Sequence, residues 1–235
     1  MHKIKLAILL SFVLAKQIVL AQTDSIAKPQ FTVSSYIIPA ALVGYGLVCF
    51  DNNGWPSSKQ VETWRNDNFA GFKDGTDDFL VFGPGLLLLS LDACKVKSAS
   101  NFPNQAAITA KAVILSLGIA NILKYSTQVT RPDGSADNSF PSGHSVFAFT
   151  LAEVLHQEFK NKPLVYISGY TMATVAASMR ILNNRHWFSD VLVGAGIGIA
   201  ATKLVYSTHQ YKWKMNKGGF MPIIGSNQMG FVYQF

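Results

Sequence analysis

Eight residues between Lys124 and Asp190 are of types that bind and transfer an anionic group: Lys124, Arg131, Ser142, Gly143, His144, Arg180, His186 and Asp190. Lys124 and Arg131 are seven apart; on one helix that is two turns, so they share a face about 10 Å apart along the axis. Two long cations so placed converge on one anion, and Pro132 then stops the helix. Taken alone, the pair reads as solvated charge at a helix end. Pro141-Ser142-Gly143-His144 opens the next apolar segment. Ser142 fits an N-cap, Gly143 lets backbone approach a ligand, and free N–H groups at a helix start favour an anion. His144 can give a proton; by itself, the same run is an ordinary cap. Arg180 closes a further helix. His186 and Asp190, four apart, lie on one helical face, where the carboxylate reaches a ring nitrogen. That contact fixes the tautomer and leaves the other nitrogen free to attack. The bland alternative for Asp190 is a helix cap. In this order and spacing, the three fragments describe one anion-handling site.

The rest of the chain must hold those residues in place, and its composition says where. Of 235 residues, 49% are hydrophobic and 14% charged, against roughly a quarter charged in ordinary soluble domains. Mean hydropathy is +0.22, which fits a bundle that is either embedded in a membrane or associated with one. The net charge of +7 favours phosphate groups or acidic lipid as partners. No basic stripe with interleaved aromatics argues for nucleic acid, and no Cys/His spacing resembles a metal site. Cys49 and Cys94 both sit in or beside apolar segments and are expected as buried thiols, with a bridge open in an oxidising compartment.

Met1 to Ala21 reads as an export signal, with basic residues, an apolar run and Val19-Leu20-Ala21 before the cut; the alternative is an uncleaved anchor. Residues 22–78 form an N-terminal region. Phe31–Phe50 is about long enough to cross a bilayer, although Pro39, Gly44 and Gly46 interrupt it. Asp51–Asp78 is polar with aromatics at helical spacing, as in an interfacial helix or, equally, an ordinary loop and helix packed on the domain. Residues 79–207 form a helical core. It holds Phe79–Leu91 with a breaker at Gly83-Pro84-Gly85, then helices at Gln105–Leu123, Ser145–Phe159, Leu164–Leu182 and Val191–Tyr206. Gly194, Gly196 and Gly198 in the last let helices approach closely. Residues 208–235 form a tail, with Gly230–Phe235 strand-like. The expected fold is therefore all-α, a bundle of five to six helices. Lysines in the Asp92–Asn104 and Lys160–Pro163 connections mark one face of the membrane, and the motif-bearing connections belong to the other. A cleaved signal followed by a spanning Phe31–Phe50 does not fit that parity.

Lys124-x6-Arg131-Pro132, Pro141-Ser142-Gly143-His144 and Arg180-x5-His186-x3-Asp190 together resemble the three-part signature of the type 2 phosphatidic acid phosphatase and vanadium haloperoxidase superfamily. One departure is Met179, where that signature usually has serine before the arginine; Ser178 stands one place earlier. The resemblance implies that His186 attacks phosphorus and forms a phosphohistidine, that Asp190 orients it, and that His144 protonates the leaving oxygen. It implies that Lys124, Arg131, Arg180, Ser142 and the Gly143 N–H hold the phosphate, with no metal and no cofactor. Charge neutralisation of this kind is what phosphoryl transfer needs.

The resemblance further implies a lipid phosphate or diphosphate as substrate, of the lipid A, undecaprenyl diphosphate or phosphatidylglycerol phosphate type, with a lean to lipid A. The protein is then expected in the cell envelope, its site facing the periplasm. Other classes on the same residues are a soluble periplasmic acid phosphatase of broad specificity and a vanadate-dependent haloperoxidase. A transporter or scaffold using Lys111, Glu153 and Lys203 is the non-enzymatic alternative.

Overall fold

Small residues set the centre of the architecture. In the computed structural model, which describes residues 32–211 and the backbone of two later strands, helix Phe188–Thr208 is the most enclosed of the long apolar helices. Lipid tails are as apolar as leucine, so helices gain little by hiding oily side chains from them, and contact depends on close approach. A Cβ on Gly196 would meet Val43 Cγ2 at 2.6 Å and the Pro39 carbonyl oxygen at 2.8 Å; one on Gly194 would meet the Ser142 carbonyl oxygen at 2.8 Å. Glycine at these positions lets two neighbouring helices touch the central one backbone to backbone.

Six long helices make the bundle: α1 (Ile37–Phe50, led in by a 3-10 turn at Val33–Tyr36), α4 (Gly83–Ala93), α5 (Phe102–Thr127), α6 (Gly143–Glu158), α7 (Pro163–Leu182) and α8 (Phe188–Thr208). Among the described residues two more, α2 (Ser58–Asn68), which is as long as α4, and the four-residue α3 (Asp77–Leu80), lie in the polar stretch between α1 and α4. An antiparallel hairpin, β1 (Phe220–Gly225) with β2 (Gln228–Tyr233), pairs Phe220 with Tyr233 and Gly225 with Gln228. The fold is all-α in its core, as expected. Val33–Phe50, Phe102–Thr127 and Phe188–Thr208 are long and apolar enough to cross a membrane, and the outer faces of the first two expose Ile38, Ile114 and Ile122. This is the build of a membrane protein. The expected export signal at residues 1–21 lies outside the described residues.

Several local expectations change. Pro39 does not interrupt α1, because it falls in the first turn, where no N–H is required. Gly83-Pro84-Gly85 is itself the first turn of α4, and the break comes just before it, at Val81–Phe82. Cys49 is buried, but Cys94 is exposed where the chain leaves α4, and both thiols are free. Cys94 is therefore not the buried thiol expected from its apolar neighbours.

The chain places its connections in two groups. Lys162 Nζ donates to the Lys97 carbonyl at 3.1 Å, and Ala99 N–H donates to the Glu158 carbonyl at 2.9 Å. The lysine-bearing connections thus meet at one end, above a core of Leu91, Ile108, Leu155, Phe159, Val165 and Tyr206. At the other end, Ser189 N–H donates to Ser58 Oγ and Arg65 Nε donates to the Leu182 carbonyl. There the motif residues gather over a second cluster, Ala120, Phe140, Val146, Val193 and Ile197.

Candidate active site

The α8 N-terminus supplies the central pair. His186 precedes the helix and Asp190 is in its first turn, so their approach is made by the entry turn and not by a shared helical face. His186 Nδ1 stands 3.4 Å from Asp190 Oδ2. The same oxygen accepts the Trp187 N–H at 2.9 Å and the Ser139 hydroxyl at 2.5 Å. Asp190 is thus both the helix cap and the partner of the histidine. His186 is 3% exposed and Asp190 fully buried. Burial pushes the His186 ring down to about 4; Asp190 opposes that shift, while Lys124 and Arg180 add to it. The ring is neutral at physiological pH, with Nε2 free of the Asp190 contact.

The cations arrive by three routes. Lys124 lies in the last turn of α5 and donates from Nζ to the Asn138 carbonyl at 2.6 Å. Arg131 is not on that helix. Gln128 takes a left-handed conformation, φ 48°, and ends α5, so Arg131 is carried by the following loop. Its N–H and C=O close a turn with Ala136 and Gly134, and its Nε donates to Asn138 Oδ1 at 3.0 Å. The expected two-turn helical face is replaced by a reversal that brings both cations to Asn138. Burial, then Arg180 and Arg185, push the Arg131 guanidinium below its ordinary value, which reflects how closely the cations crowd. Arg180, in the last turn of α7, is 8% exposed and pairs through Nη1 with Asp77. Its Nε is buried with no partner among the described residues.

Ser142 is the N-cap of α6, as expected; its Oγ accepts from Ser145 N–H and lies 3.0 Å from Ser145 Oγ. Ser142 N–H donates to the Asp190 carbonyl at 3.0 Å, so the starts of α6 and α8 are bolted together. The position a Cβ would take on Gly143 is 3.9 Å from Lys124 Cε. His144, in the first turn of α6, places Nε2 3.0 Å from Asp78 Oδ1. The structure thereby brings all eight expected residues to one end of the bundle.

Four contributors were not singled out in the sequence. Ser139 holds Asp190, while Asp77 and Asp78 on α3 meet Arg180 and His144. Arg65 pins α2 to the end of α7 through the Leu182 carbonyl at 2.9 Å. Only the adjacent pair of carboxylates before an apolar helix offered a signal. Beside the cradle opens a cleft of about 630 Å³, whose lining includes Arg65, Phe72, Lys73, Asp77, Arg180 and Arg185. Arg185 Nη1 stands 3.2 Å from Asp133, and Trp187 Nε1 donates to the Thr130 carbonyl at 2.8 Å. These contacts tie the α8 entry turn to the Arg131 loop. Among the described residues, no group of three His, Cys, Asp or Glu side chains is placed to hold a metal ion.

Parts of this chain are similar to known proteins. Over 90 residues, 38% of this chain, the sequence is 48% identical to a lipid A 1-phosphatase of Porphyromonas gingivalis; the match spans 20% of that relative's length. The crystal structure of Aquifex aeolicus LpxE matches with a TM-score of 0.47 at 22% identity, over 61% of this chain and 92% of that one. A transmembrane PAP2 type phosphatidylglycerolphosphate phosphatase from Bacillus subtilis matches with a TM-score of 0.48 at 20% identity, over 76% and 99%. The family model of the PAP2 superfamily matches residues 105–214, a span that contains Lys124, Arg131, the α6 start, Arg180, His186 and Asp190. Over that span, just under half of its length, this chain is similar to the PAP2 superfamily.

Proposed function

We propose that this protein hydrolyses the phosphate of an envelope lipid through a phosphohistidine on His186. The observation that carries the reading is the meeting of a buried, neutral His186, held at Nδ1 by Asp190, with the side chains of Lys124, Arg131 and Arg180. Nε2 attacks phosphorus in line. Three cations and the N–H groups at the α6 start offset the charge on the equatorial oxygens, where the transition state gathers it. His144 gives its proton to the leaving oxygen as the P–O bond breaks. A water then attacks the P–N bond, its proton returns to His144, and inorganic phosphate leaves.

A lipid is favoured over a soluble ester because the site sits at the end of helices whose outer faces are apolar. We read the cradle as lying at headgroup level; its distance from the lysine-bearing connections, with the positive-inside tendency, supports a site on the periplasmic side. The phosphate of lipid A is the first substrate to test, given the similarity to a lipid A 1-phosphatase. Purified protein is offered detergent-dispersed lipid A, undecaprenyl diphosphate, phosphatidylglycerol phosphate and a short soluble phosphate ester. Release from at least one lipid, well above that from the ester, is expected. Release from the ester alone would sink the lipid reading.

A further inference from the structure

Asp77 and Asp78 are neighbours on a single turn of helix, yet their carboxylates serve different cations. Asp77, 1% exposed, is taken up by Arg180 Nη1 and by Asn183 Nδ2 at 3.1 Å. Asp78 reaches past it: Oδ1 lies 3.0 Å from His144 Nε2 and 3.5 Å from Arg180 Nη1. With Nε2 occupied in this way, Nδ1 is the ring nitrogen left for a leaving oxygen.

We propose that Asp78 is a positioning residue for His144, holding the imidazole at Nε2 and keeping it protonated between turnovers. The use made of that proton rests on the phosphatase reading; the contact itself does not. The groups around the ring explain why such a partner is needed. Arg180 faces it from α7, and Lys124 flanks Gly143 from α5. His186 lies beyond, on the α8 entry turn, with Asp190 bonded through its carbonyl to Ser142. Asp77 and Asp78 of α3 are the carboxylates on the near side. Burial pushes the ring below its ordinary value and Arg180 pushes the same way, while the hydrogen bond and charge of Asp78 draw it back up, with a smaller pull from Asp77. The proton that His144 gives up leaves from Nδ1, and the contact of Nε2 with Asp78 is kept.

The test uses the full chain in detergent, as wild type, Asp78→Asn and Asp78→Glu, with two readouts. One is the pH dependence of kcat/KM on dispersed lipid A. The other is the titration of the His144 ring, followed by NMR of protein with nitrogen-15 histidine and assigned through His144→Gln. In Asp78→Asn, the alkaline limb and the His144 titration are expected to move together to lower pH by about one unit, and Asp78→Glu is expected to restore both. A His144 titration that stays at its wild-type position in Asp78→Asn overturns the proposal, whatever the activity. A wild type that releases no phosphate removes the phosphatase reading instead, and the ring titration still decides the role of Asp78.

Discussion

Ser139 lies in the loop after α5 and Asp190 in the first turn of α8, and the Ser139 hydroxyl donates to Asp190 Oδ2 at 2.5 Å. Ser139 is fully buried, and its Oγ also lies 3.4 Å from His186 Nδ1. The loop that follows α5 is thereby fastened to the residue that meets the His186 ring. Ser139→Ala removes a donor to a buried carboxylate, a loss worth about 1.5–3 kcal/mol. Turnover is expected to fall about ten-fold or more with a lowered Tm, as read by phosphate release and thermal unfolding. Unchanged values for both would show that the Trp187 N–H suffices to hold Asp190.

The pH dependence of stability follows from His186. Its ring is held at about 4 when folded, against 6.5 for the ordinary group. Between those values the unfolded chain binds a proton that the folded chain refuses, so stability rises with pH through the window. It is fully present above about pH 6.5 and lost as pH falls toward 4. Thermal unfolding of wild type beside His186→Gln should show a steeper acid loss in the wild type. Parallel curves would contradict a buried neutral imidazole.

Activity has its own window. In the proposed mechanism His186 must be neutral, which holds above about pH 4, while His144 must be protonated, and burial and Arg180 set its ring below 6.5. The profile of kcat/KM is therefore expected to be bell-shaped, with its maximum in the mildly acidic range. A maximum in alkaline solution would contradict the assignment of His144 as the proton donor.

Close packing of α1 on α8 gives a prediction independent of the chemistry. Gly196→Ala puts a methyl within 2.6 Å of Val43 Cγ2 and 2.8 Å of a carbonyl oxygen, and overpacking of this kind costs about 1–3 kcal/mol. Gly44→Ala, with nothing within 4 Å, is the control and is expected to be neutral or mildly stabilising. Unfolding midpoints in detergent distinguish the two. Equal midpoints would mean that α1 is free to move away from α8.

The sequence carried the helical core because apolar length, proline and glycine act locally. Helices expected at Leu164–Leu182 and Ser145–Phe159 fall at Pro163–Leu182 and Gly143–Glu158. The eight candidate residues were legible as a group because their spacing along the chain is itself the pattern, and the structure gathers them at one end of the bundle. What it missed depends on distance along the chain. The Asp77–Arg180 pair, Ser139 on Asp190 and Arg65 on the Leu182 carbonyl join segments far apart, and no local propensity encodes such partners. Arg131 was misplaced for a different reason. The left-handed cap that ends α5 falls on Gln128, a residue without the glycine or asparagine signal of that conformation. Asp190, weighed as either helix cap or histidine partner, is both, because one oxygen serves the Trp187 N–H and the His186 ring.

The central claim is that His186 carries the phosphoryl group, and rapid acid-free quenching with a lipid substrate labelled at phosphorus tests it most directly. Wild type is expected to release inorganic phosphate and to trap label on the protein in an acid-labile, base-stable bond at His186. His186→Ala is expected to trap none and to lose at least about 10³-fold in release. Release by His186→Ala at the wild-type rate, or label trapped elsewhere, would contradict the account.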